Sequence, residues 1–309
     1  MHLGLFTRIY QNETLEVALE KIKTLGINSV ELTANNGSLH FDIERASDPS
    51  YKNKLNQIFS ESGLTISGLA IHRDTQLVLG PYGEATQQFY SGSKEEQKAY
   101  GIRRTIQAAK AAKEYNIPLV IGHLGCLEFS QYHPWPSKDG WEKQKENAKS
   151  TWMPILEEYE RLGIKFAHEI SPQQMAYNLE TALEMSELLN IDSFGYCLDP
   201  SNLLITGVDP SIYAEVLGKK IFNVHGKDTE FTNHLNTSGW MPHGDLNRKG
   251  RGFRSRIPGW GDTNWKKFLT AVKLSGYNGV ISLEIDDISM SSEEAISKAK
   301  QFLEPILFE

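Results

Sequence analysis

Short apolar runs alternate with longer amphipathic stretches eight times along the chain. The apolar runs, at 2–6, 29–33, 64–72, 118–123, 164–169, 194–199, 220–225 and 279–285, have strand length and read as strands covered on both faces, as in a parallel sheet. Each is followed by a segment of helical periodicity, around 13–25, 50–62, 94–115, 141–162, 173–190, 209–218, 263–275 and 291–304. Glycine closes several of these helices just ahead of the next strand, as in Leu25-Gly26-Ile27, Ser62-Gly63-Leu64, Leu162-Gly163-Ile164 and Ser275-Gly276-Tyr277. Eight βα units with no break in composition and no linker predict an α/β protein built as a single (β/α)8 barrel, one domain over 1–309. A doubly wound open sheet is the alternative, but no G-x-G-x-x-G opens the first helix.

Connection lengths point the same way. Helix-to-strand links are a few residues long, whereas the strand-to-helix links at 33–49, 73–93, 124–140 and 226–262 are extended. In a barrel these long βα loops all lie at the C-terminal face, where active sites are built.

Composition removes several classes of function. With 309 residues, 39% hydrophobic and 23% charged, the chain has the profile of a globular protein with a large core. A net charge of −7 offers no general attraction to nucleic acid or to an anionic membrane surface. Two cysteines, Cys126 and Cys197, and an N-terminus that reads as a strand suggest a reduced, cytoplasmic protein. No apolar run approaches the roughly 20 residues needed to span a bilayer.

Polar residues at the ends of the last four strands carry the candidate chemistry. Period-2 alternation aims Glu169, Asp199 and His225 into the barrel, sends His168 outward, and turns Ser282 and Glu284 inward while Ile281 and Leu283 face the helices. Singly, each has a structural explanation, an acid as helix N-cap or ion-pair partner and a histidine as a satisfied core residue. Four at one level on four consecutive strands call for a cation, because three buried carboxylates would otherwise repel one another and suffer desolvation. Three carboxylates and one imidazole form an oxygen-rich set that suits Mn²⁺ first, then Mg²⁺, with Co²⁺, Fe²⁺ and Zn²⁺ also admitted.

These residues, with the His-x-Lys-Asp of 225–228, the Pro-Gly-Trp-Gly-Asp of 258–262 and the closing GYNGVISLEIDD, make the chain resemble the xylose isomerase-like TIM-barrel superfamily, the sugar phosphate isomerase/epimerase group. The resemblance runs over nearly the whole chain. It implies a divalent metal held by Glu169, Asp199, His225 and Glu284, and proton transfer by Glu169 and Glu284 through a metal-stabilised enediolate of a small carbohydrate, without an organic cofactor. A lyase or dehydratase acting on a keto-sugar would use the same groups and is the alternative. A non-catalytic sugar-binding subunit would have no need of both glutamates. The apurinic endonuclease relatives carry a histidine where this chain has Asn202 and an Asp-x-His after the strand-seven histidine that is not found here, so a DNA-repair role and a nucleic-acid partner are not expected. Some keto-epimerases also bind sugar with a histidine at that position.

Candidate substrate contacts follow. His72 and His123 end strands three and four, where they could bind substrate or a second metal; Asn202, Lys227 and Asp228 lie beside the metal ligands. Arg248, Lys249, Arg251, Arg254 and Arg256 place five basic residues in nine positions of loop seven, which suits a phosphate or carboxylate, although a solvated loop or a subunit contact in a homo-oligomer reads equally well. Trp135, Trp240 and Trp260 are aromatic candidates for stacking on a sugar ring.

Overall fold

The computed structural model describes residues 1–129, 138–238 and 248–309. Ten strands lie among them: β1 (His2–Phe6), β2 (Ser29–Thr33), β3 (Thr65–Ala70), β4 (Leu119–Gly122), β5 (Lys165–Glu169), β6 (Phe194–Leu198), β7 (Ile221–Gly226), β8 (Asp228–Phe231), β9 (Phe253–Arg256) and β10 (Val280–Leu283). β1 to β7 pair in chain order, all in parallel, and β10 closes the barrel between β7 and β1. The eight strands expected from the apolar runs thus form the (β/α)8 barrel. Among the described residues no helix is long and apolar enough to cross a membrane.

The outward faces of the strands pack on the helices. Phe166 of β5 meets Trp152 and Tyr159 of the helix Gly140–Leu162 at ring-centroid distances of 4.9 and 5.7 Å. That helix ends at Gly163, and Pro49–Ser62 at Gly63; both glycines are left-handed, with φ of 70° and 68°, which turns the chain directly into the next strand.

Several boundaries differ from the sequence reading. β3 stops at Ala70, and His72 opens a helix, His72–Leu79, inside the segment expected to be an extended loop. The helix expected over 173–190 is Leu179–Leu188, because Asn178 is extended and caps it by accepting from the Thr181 amide at 2.9 Å. Asp199 likewise caps the unexpected short helix Pro200–Leu204. Loop seven is partly a ribbon: β8 and β9 pair antiparallel, with Asp228 opposite Arg256 and Glu230 opposite Arg254. Trp135 and Trp240 lie outside the described residues.

Candidate metal centre

The barrel register brings the expected ligands to one place. Leu198 pairs with Val224, which sets Asp199 beside His225, and Ser282 pairs with His225, which puts Glu284 one inward step beyond. One ligand-type atom from each of Glu169, Asp199, His225 and Glu284 lies within 4.8 Å of the others, and all four residues are buried. His225 Nδ1 is 3.1 Å from Glu284 Oε2 and 3.7 Å from Glu169 Oε2. Among the described residues neither His225 Nδ1 nor Glu284 Oε2 makes a hydrogen bond of acceptable geometry. Two buried polar atoms without partners, side by side in a mainly carboxylate set, fit a divalent cation.

The surrounding charges act on each member of the cluster differently. Burial pushes the Glu169 carboxyl up, but His72 at 2.7 Å and His225 outweigh it, so the group sits well below the usual carboxylate range. Burial also opposes ionisation of Glu284, yet Lys227 at 3.0 Å and Arg8 at 2.8 Å hold it ionised. Asp199 is pushed up to about 7, by burial first and then by Glu284 and Glu169, against the pull of Lys227. Its Oδ1 accepts the Ser201 amide at 2.9 Å, so Asp199 is an N-cap and a member of the cluster at once. His225 has a raised pKa, with burial opposing the imidazolium and Cys197, Glu31 and Glu284 favouring it.

The other expected site residues divide into three groups. Asn202, Lys227 and His72 touch the cluster directly: the Asn202 amide donates to Glu169 and Asp199, and Lys227 lies between Glu284 and Asp286. His123 stands edge-on to His72 at a centroid distance of 4.9 Å, and both line a cavity of about 360 Å³ with Arg73, Gln76 and Phe89. Among the described residues no second group of three metal-type ligands forms around this histidine pair. Arg254 and Arg256 line a cavity of about 310 Å³ with Arg248 and Lys249. Arg254 also borders a cavity of about 410 Å³ shared with Arg8 and Asp286, beside Glu284.

Two further expected substrate contacts, Asp228 and Trp260, neither touch the cluster nor line these cavities. Asp228 is fully buried and spends both oxygens on the chain itself, accepting from the amides of Thr229, Gly259, Gly261 and Thr263, the Thr263 hydroxyl and the Trp265 indole. A Cβ on Gly261 would collide with that carboxylate, so the Gly-Trp-Gly spacing serves this knot. Trp260 is half-exposed with Lys298 over its ring, and it lines none of these three cavities. His168 faces outward as expected, accepting the Leu124 amide at Nδ1 and donating from Nε2 to the Ala176 carbonyl.

Three further residues were not anticipated. Arg8, just past β1, reaches Glu284 and Asp286. Asp286 pairs with Lys227 at 2.7 Å. Glu31 of β2 is fully buried and accepts from His225 Nε2 at 3.2 Å. The alternation of Ser29-Val30-Glu31-Leu32-Thr33 already points Glu31 inward, which is the signal that could have found it.

Comparisons with known proteins agree with the fold. Over 293 residues, 90% of each chain, the protein is 28% identical to the uncharacterized protein YfiH of Bacillus subtilis (strain 168). It is 30% identical to the inosose isomerase of the same organism over 166 residues, 51% of this chain and 55% of that one. A solved structure described as the IOLI protein with a bound zinc atom superposes with a TM-score of 0.70, at 21% identity, over 99% of this chain and 98% of that one, and shows the fold. The model of the xylose isomerase-like TIM barrel matches residues 19–306, and the chain therefore belongs to that family.

Proposed function

We propose that this protein is a divalent-metal-dependent sugar isomerase or epimerase. The observation that carries the reading is the pair Glu169 and Glu284, two buried carboxylates held ionised within 3.7 Å of His225 Nδ1. A cation held by Glu169, Asp199, His225 and Glu284, with Mn²⁺ the first choice for such an oxygen-rich set, would supply positive charge where negative charge develops at the substrate carbonyl.

The residues of the chain account for the rest. An ionised carboxylate at Glu169 or Glu284 is in the correct state to remove a proton from the carbon next to a carbonyl. The opposite glutamate, after taking a proton from solvent, returns it to the neighbouring carbon or to the other face, and the first glutamate releases its own proton to solvent. His72 and Asn202 keep Glu169 ionised and oriented, and Lys227 and Arg8 do so for Glu284. The cavity beside His72 and His123 offers room and hydrogen-bonding side chains for the polyol part of a ketose. Arg254 and Arg256 on the ribbon would receive a phosphate or carboxylate substituent. Similarity to an inosose isomerase supports a carbohydrate substrate.

Metal analysis of the purified protein, followed by solvent deuterium incorporation into a panel of ketoses and keto-sugars, tests the proposal. Bound divalent metal and deuterium at a carbon next to the carbonyl are expected. A protein free of metal affinity, or one that exchanges no substrate proton, would remove the reading, and an unsaturated product would convert it to a lyase.

A further inference from the structure

Glu31 is fully buried inside the barrel, on β2, which β1 and β10 separate from the β7 strand of His225. A carboxylate there must be satisfied by donors. Its hydrogen bonds among the described residues come from the Asn223 amide at 2.9 Å and from His225 Nε2, 3.2 Å from each oxygen. Asn223 and His225 both belong to β7 and, two apart, share its inward face. A carboxylate can only accept, so the His225 nitrogen facing it must carry the proton. In the neutral ring that a metal ligand must be, the proton is then on Nε2, which leaves Nδ1, the nitrogen facing Glu169 and Glu284, to bind the metal. Phe6 stacks on the same ring at 6.0 Å and restricts its tilt.

We propose that Glu31 is a positioning residue that fixes the tautomer and orientation of His225 so that Nδ1 is the metal-ligating atom. The inference rests on the metal-centred reading above. Carboxylate partners of this kind fix the ring and raise its basicity as a ligand, and losing one typically costs 10–100-fold in metal affinity.

The test uses the full chain stripped of metal and titrated calorimetrically with Zn²⁺ against a competing chelator, as wild type, Glu31→Gln and Glu31→Leu. Glutamine retains a carbonyl acceptor for the Nε2–H group, whereas leucine retains none. Zinc affinity should fall by about 10–100-fold in Glu31→Leu and by distinctly less in Glu31→Gln. Long-range ¹⁵N–¹H spectra of the zinc-loaded wild type should show His225 protonated at Nε2. Equal zinc affinity in wild type and a folded Glu31→Leu, or Glu31→Gln losing as much as Glu31→Leu, would overturn the assignment. So would a His225 proton on Nδ1 in the wild type, a readout that stands even if Glu31→Leu does not fold. A wild type that binds no zinc at all would instead remove the metal-centred reading.

Discussion

The Asn202 amide nitrogen lies 2.7 Å from Glu169 Oε1, and the same nitrogen reaches Asp199 Oδ2 at 3.0 Å. One side chain therefore ties two carboxylates that repel each other into a fixed separation. Asn202→Ala should leave a buried carboxylate oxygen without its donor and let Glu169 turn. A fall of about tenfold or more in kcat with a smaller change in KM is expected. Steady-state kinetics on whichever ketose shows exchange will check it; an unchanged kcat would exclude an orienting role.

Glu284→Gln preserves shape but removes the charge held in place by Lys227 and Arg8. Loss of one proton-transfer group should lower solvent exchange into substrate by about 10²–10⁴-fold. A wild-type exchange rate in this variant would sink the two-glutamate mechanism.

Arg254 and Arg256 face the cavity at the ribbon, and Glu230 lies 3.6 Å from both. If they receive an anionic substituent, the double replacement Arg254→Ala, Arg256→Ala should raise KM for a phosphorylated or carboxylated substrate by about tenfold or more and leave KM for a neutral ketose unchanged. Equal effects on both substrates would assign the pair to loop structure.

Asp228→Ala should act on stability. It strips the acceptor from four amides, a hydroxyl and an indole in a buried turn. A loss of about 3 kcal/mol is expected, visible as a lower urea midpoint. An unchanged midpoint would refute the structural role.

His40 gives a pH prediction away from the acid–histidine cluster. Burial lowers its pKa, and its ring contacts the Thr7 hydroxyl and the Tyr10 carbonyl. The unfolded chain takes up this proton near about 6.5, while the folded chain does so only at lower pH. Its contribution to stability is therefore complete above about 6.5 and declines as pH falls through the folded pKa. His40→Gln should flatten the acid side of the stability profile, as measured by urea midpoints over that range. A profile superimposable on wild type would show that another group sets the slope.

The barrel was legible because period-2 alternation and the helix-closing glycines are local properties, written in neighbouring residues. The same alternation supplied the inward orientation of Glu169, Asp199, His225 and Glu284. Asp228 misled for a physical reason: sequence adjacency to Lys227 says nothing about the five other donors folded back onto it from residues 259–265. The His72 helix was hidden in a segment whose only sequence signal was loop length. Arg8 and Glu31 escaped because their partners are 276 and 194 residues away.

By itself, the sequence determined the eightfold βα repetition, the face on which each strand displays its polar residues, and the three acids and one imidazole at the strand ends. All of these follow from backbone periodicity and burial over a few residues. Only the tertiary structure decided which nitrogen of His225 faces the cluster, that Asn202 links Glu169 to Asp199, and that Asp228 holds a loop. Those outcomes depend on strand register and closure of the barrel, which set distances between residues that share no local sequence pattern.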